Sequence, residues 1–378
     1  MADISNGAIA VPVVPRHGRK RAWRIAQLVI SVGVAVAIFA LVIPKVANYS
    51  DVWKTITSLT LLQLVVLVIA MSFNLLTYWP QQTAAMPGLT LGQAAVNNQT
   101  TTSISNIMPG GAAVAVAFGY YIYRTWGFTK GEIALQALVT GIWNIYIKLA
   151  LPVFALAILA IYGSASTGLL IAGMIGIAVL AGSVVLFGMI LWKKAFARRI
   201  GNGIGRMASR IRRLFKKPAV HDWGEAAVRL RRQSINLVVR QWLPLTGFTL
   251  LSHAALFVLL LLSLRFVGIT EHQVSWAQVL GVFAFVRLLS TLPLTPGGVG
   301  IVELGYIGGL ALAGGNHAKV VGAVLLFRAL SYGLQIPLGG FTYIIWRRKK
   351  SWFKTPADLE PSEEHPIAPT PVPVLAQL

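Results

Sequence analysis

Six apolar runs constrain this chain most: Ile25–Ile43, Leu59–Trp79, Ile133–Tyr162, Thr167–Trp192, Gln241–Phe266 and Ala318–Trp346. About twenty apolar residues make a helix as long as a bilayer's hydrocarbon is thick, whereas barrel strands need only about ten. The expected class is therefore an all-α integral membrane protein, a polytopic bundle of about six full spans. With 56% of residues hydrophobic and only 12% charged, the soluble classes are excluded.

The stretch Leu289–Gly305 breaks the pattern. It reads LSTLPLTPGGVGIVELG and places Pro293, Pro296, Gly297, Gly298 and Gly300 within eight positions. Proline removes a backbone donor and glycine loosens the chain, so no continuous helix is expected. At membrane depth the freed backbone groups must be enclosed by protein or a wet cavity. A second break lies in the first half. From Asn97 to Asn106 every side chain except that of Ile104 can hydrogen-bond, and Pro109-Gly110-Gly111 and an apolar arm follow. This reads as a re-entrant hairpin or a pair of broken helices; an extramembrane loop is the plainer alternative.

The two breaks belong to a repeated unit. Gln93 lies sixteen residues before Pro109 and Pro152 forty-three after it; Gln278 lies eighteen before Pro296 and Pro337 forty-one after it. Each unit reads span, broken hairpin, then a span interrupted by a proline. The expected organisation is a segment 1–23 without a core, and a membrane half 24–192 with its hairpin around 97–124. A basic loop 193–238, a second half 239–346 with its hairpin around 276–314, and a proline-rich tail 347–378 complete it.

Charge sets the orientation. The net +22 would suggest nucleic acid in a soluble chain, but here Lys and Arg lie outside the apolar runs. Cytoplasmic loops account for them, and no nucleic-acid partner is expected. Starting with the N-terminus inside, every strongly basic segment falls on one side. Both termini are then cytoplasmic, and the two units run in opposite directions. Inverted repeats with discontinuous helices meeting near the midplane are an alternating-access architecture. Lys193–Arg240 carries fourteen Lys and Arg against Asp222 and Glu225. Within it Phe196, Ile200, Ile204, Met207, Ile211, Leu214 and Phe215 form an amphipathic stripe. That stripe suits an anionic membrane surface; a solvated loop is the alternative, and glycines 201, 203 and 205 weaken the helix.

Ionisable residues inside apolar runs are the site candidates: Lys148, Arg287, Glu303 and Arg328, with Arg265 near a span end. Glu303 can neutralise one cation, so others need a partner, because a lone cation at the bilayer centre costs roughly 2.5–3.5 kcal/mol. A phosphate headgroup would serve, helped by half-helix N-termini pointing at the breaks. A structural network of Arg287, Glu303 and Arg328, or a Lys148 that snorkels, is the bland reading. Asn106 and Asn144 are polar candidates that could simply bridge helices. His253 reads as a packed histidine. There is no cysteine, and the six histidines are scattered; no metal site and no cofactor are expected.

The run L-P-x-T-P-G-G-V-G-I-V-E at 292–303, with Arg328 and Tyr332 ahead of Ile336-Pro337, resembles the lysylphosphatidylglycerol synthase transmembrane, or flippase-like, domain family. Asn106-Ile-Met-Pro109-Gly110-Gly111, then Arg124 and Gly127-Phe-Thr, is similar to the family's first-half pattern. The resemblance spans roughly residues 25–346. It implies a bacterial cytoplasmic-membrane protein that moves lipids or lipid-linked precursors between leaflets. It points to Pro296, Gly297, Gly298, Gly300, Glu303, Arg328, Asn106 and Pro109. Nothing after Trp346 resembles the soluble aminoacyltransferase domain of the lipid-modifying members, so a stand-alone form is expected.

The expected function is translocation of an anionic phospholipid, glycophospholipid or polyprenyl-phosphate-linked sugar. Without a Walker A loop it would be passive or ion-coupled, with Glu303 the candidate carrier. A lipid-modifying transferase and a non-catalytic scaffold for cell-envelope biosynthesis enzymes are the rival expectations.

Overall fold

The computed structural model of the chain describes residues 49–108, 111–162, 167–214, 218, 222–291 and 298–354. Segment 1–23, the span Ile25–Ile43, Pro109, Gly110, Pro296, Gly297 and the tail from Thr355 lie outside the described residues.

Every regular element described is helical. They are α1 (Tyr49–Thr57), α2 (Leu61–Ala85), α3 (Leu91–Ile107), α4 (Gly111–Thr125), α5 (Lys130–Ile161), α6 (Thr167–Trp192), α7 (Lys194–Leu214), α8 (Trp223–Phe266), α9 (Trp276–Leu289), α10 (Ile301–Leu312), α11 (His317–Arg328) and α12 (Gln335–Arg348). A π-helical turn, Ala329–Gly333, joins α11 to α12. The chain is a polytopic helical membrane protein. Of the described helices, α2, α5, α8 and the α11–α12 rod are long and apolar enough to cross a membrane; α6 and α7 pass the same test together but bend by 101°.

Local sequence explains the helix starts. Thr60, Thr90, Thr129 and Ser275 each accept a bond from the backbone N–H of the residue three on, whose Gln or Glu side chain reaches back to the cap. This reciprocal box satisfies two otherwise orphaned donors. Gln93 and Gln278, the landmarks of the sequence repeat, are the returning partners at α3 and α9.

Both breaks fold into antiparallel helical hairpins. Across the first, Gly119 approaches Thr101 and Asn97 while Gly111 lies on the backbone of Ser105. Across the second, Gly305 lies against Val286 and Gly309 against Val282. Side chains at these glycines would push the arms apart.

Helices of the two halves pack reciprocally. The first arm of hairpin one, α3, lies along α12; the first arm of hairpin two, α9, lies along α5. The long leading helices α2 and α8 pack on each other. They run antiparallel, with Asn74 Nδ2 donating to Ser252 O at 2.7 Å and Gln81 Nε2 to Thr249 Oγ1 at 2.7 Å. The largest core cluster fills this junction, from Leu67 and Met71 through Leu259 and Leu260 to Phe283, Tyr306 and Phe327.

Four expectations are corrected. α5 runs unbroken through Pro152, which is buried; a proline removes one helical bond, and packed neighbours hold the rod together. In the last rod the irregularity precedes Pro337. The proline ring displaces the carbonyl four residues upstream, at Gly333, where the π turn ends. The basic loop does not extend to Arg240, since residues from Trp223 onward are the first turns of the 44-residue α8. Its glycines do not prevent a helix. Ala197, Gly201, Gly205 and Ser209 are the buried seam of α7, and Gly201 and Gly205 lie against Trp223, Gly224 and Ala227 of α8.

Candidate functional site

The second break ends in two left-handed glycines, Gly298 (φ 70°) and Gly300 (φ 88°). A side chain is strained at such angles, and at Gly298 it would also press on Val302. This turn starts α10 with Glu303 facing back to it. Glu303 Oε2 accepts from the Gly300 backbone N–H at 2.6 Å, and its Oε1 accepts from Arg328 Nε at 2.6 Å. The pair is nearly dry, with side chains 3% and 14% exposed. The Arg328 guanidinium stacks over the Tyr332 ring, 4.6 Å from its centre. Tyr332 Oη donates to Asn106 O at 2.6 Å, and Asn106 Nδ2 donates back to Tyr332 O at 3.4 Å. One polar chain thus runs from Gly300 through Glu303, Arg328 and Tyr332 to Asn106, the last turn of α3. It ties together the two breaks of the sequence, nearly two hundred residues apart.

A second group lies beside it with a different balance. Arg287, in the last turn of α9, faces His253 of α8, and Lys148 of α5 lies within electrostatic reach of both. His253 is buried, and its Nδ1 meets Thr249 O at 2.9 Å. This bond assigns the proton to Nδ1 and leaves the Nε2 lone pair facing Arg287 Nη2 at 3.5 Å. Arg265 pairs with Glu271 and Glu303 is taken by Arg328. Among the described residues, no carboxylate is within ion-pair distance of Arg287 or Lys148.

Three of the nine buried polar atoms left without a partner among the described residues lie on these elements. Arg287 Nε, Asn144 Oδ1 and Ser331 Oγ are buried and unbonded. Asn144 is one turn from Lys148 on α5, and Ser331 neighbours Tyr332. Buried groups of this kind cost about 1–3 kcal/mol each when unmet. Tyr306, fully buried, packs against Phe283 and Phe327 within electrostatic reach of Arg287, Arg328 and Glu303.

The structure therefore brings together Glu303, Arg328, Tyr332 and Asn106, with Gly298 and Gly300 shaping their turn. It places Lys148 near Arg287, with Asn144 one turn away along α5. Arg124 stands apart, donating to Phe128 O at 2.7 Å to close the turn after α4. His253 and Tyr306 were not among the sequence candidates. His253 was legible only as one histidine on an apolar helix, and nothing in the sequence marked Tyr306.

The family model described as the lysylphosphatidylglycerol synthase TM region matches residues 25–339. The chain belongs to this family. The lysylphosphatidylglycerol synthase TM region is linked to membrane lipid handling. Its match takes in both breaks, both polar groups and the helix pair α7–α8. None of the curated proteins compared matches the chain.

Proposed function

We propose that this protein moves a lipid with an anionic, phosphate-bearing headgroup between leaflets. The observation that carries the reading is Arg287 and Lys148, two cationic side chains on apolar helices with no carboxylate in ion-pair reach among the described residues. A headgroup phosphate supplies the missing charge, and a bidentate guanidinium matches it geometrically. The orphaned Arg287 Nε and Ser331 Oγ are donors for its remaining oxygens, and Asn144 Oδ1 is an acceptor for a headgroup hydroxyl or ammonium.

The packing supports alternating access between inverted repeats. Helices α2–α5 correspond to α8–α12, and the contact α3–α12 has its counterpart in α9–α5. Antiparallel packing of the equivalent α2 and α8 is what a two-fold axis lying in the membrane plane produces. In this reading the Glu303–Arg328–Tyr332–Asn106 chain is the joint between the repeats. Protonation of Glu303 would release Arg328, which makes it the candidate for coupling to a proton gradient. A transferase reading is weaker: Glu303, the one described carboxylate at membrane depth, has both oxygens engaged, so no free base faces an acceptor. We place the protein in the bacterial cytoplasmic membrane with both termini inside.

The test is headgroup accessibility in proteoliposomes, using labelled anionic phospholipids and polyprenyl-phosphate sugars. Wild type exposes the protected inner-leaflet pool, and Arg287→Gln and Lys148→Gln slow this at least about tenfold. Equal rates in wild type and both variants would remove the site assignment.

A further inference from the structure

α7 is a three-faced helix. Its seam of Ala197, Gly201, Gly205 and Ser209 is spent on α8, while Ile204 and Met207 on another face remain exposed. The third face carries Arg199, Arg206 and Arg213. Seven-residue spacing keeps such residues within about 20° of one line per step. These arginines border an open, cavity-like groove of about 690 Å³ lined also by Asn202, Gly205, Ser209, Asp222 and Trp223. None of the three has an ion pair among the described residues; the neighbouring Arg198 instead pairs with Glu225 at 2.6 Å. Three arginines against one carboxylate leave the lining with two net positive charges.

The α8 end of the cavity is also built for an anion. Asp222 precedes α8 in a left-handed conformation (φ 62°), unlike any other described non-glycine residue, and its side chain makes no capping bond. The first-turn N–H groups of a 44-residue helix are therefore left without that acceptor, with the positive end of the helix toward the arginines.

We propose that the α7–α8 cavity is a second anion site, outside the membrane core and separate from Arg287 and Lys148, that binds a phosphate-bearing molecule. Its volume leaves room for a phosphate that carries a polar body such as a glycerol or sugar. A lipid headgroup and a soluble phosphoester share this chemistry.

The test uses the full-length protein in zwitterionic nanodiscs, titrated calorimetrically with glycerol 3-phosphate and with a short-chain anionic phospholipid. Arg206→Gln weakens binding about tenfold, as loss of one charged hydrogen bond does. Arg212→Gln, which removes the same charge off the cavity, changes it less than about twofold by the same arithmetic. Binding of glycerol phosphate assigns a solution ligand; binding of the lipid alone assigns a headgroup. Binding of neither probe, or equal weakening by Arg206→Gln and Arg212→Gln, overturns the proposal.

Discussion

Arg287 and Arg328 both stand in the last turns of helices of the second half, α9 and α11. Arg328 is held by Glu303 in front and Tyr332 behind; Arg287 faces a neutral imidazole and leaves its Nε unbonded. The contrast separates two uses of a buried cation. A paired arginine fixes two helices relative to each other, and its value lies in being satisfied. An unpaired one keeps a charge unmet until something arrives to meet it.

Breaking the paired side should give the largest effect. Glu303→Ala leaves Arg328 uncompensated and the Gly300 N–H without its acceptor, and should cost about 3–5 kcal/mol of stability. The thermal midpoint in detergent, read by size-exclusion chromatography, checks this. Replacing both partners, as in Glu303→Leu with Arg328→Met, should recover most of that loss while altering lipid exchange. Next in size is Tyr332→Phe, which removes the bond to Asn106 O and should lower stability by about 1 kcal/mol. Arg287→Gln should leave the midpoint unchanged or raise it, because no ion pair is lost and an unmet buried charge is removed. The smallest effect is expected for Asn144→Leu, whose Oδ1 has no partner to lose. Its stability should hold or rise slightly, while lipid affinity falls. A collapse of Arg287→Gln comparable to that of Glu303→Ala would erase the distinction between the two arginines.

Much of this division could be read before any coordinates. One carboxylate and several cations at membrane depth fix the arithmetic, and Glu303 can close only one pair. The broken hairpins were legible because Pro and Gly act locally, and Gln93 and Gln278 mark them because a capping box spans only four residues. Which cation Glu303 chooses depends on how α9, α10 and α11 pack, and sequence spacing is silent on that. Pro152 looked like an interruption because its cost is local, whereas the neighbours that offset it come from elsewhere in the chain. Gly201 and Gly205 looked like helix breakers for the same reason. Their role is visible only once Trp223 and Gly224 lie against them. Likewise the 44 residues of α8 hide a water-facing start inside what reads as a loop, since its charges mask a helical period.

Retention of an anionic lipid by the purified protein, measured by native mass spectrometry, tests the central claim most directly. The comparison is made in an Arg206→Gln background, which weakens the α7–α8 cavity equally in every variant compared. The account predicts a bound anionic lipid that is lost on adding Arg287→Gln and kept on adding Tyr332→Phe. Equal retention with and without Arg287 would contradict it, and would make Arg287 a structural cation like Arg328.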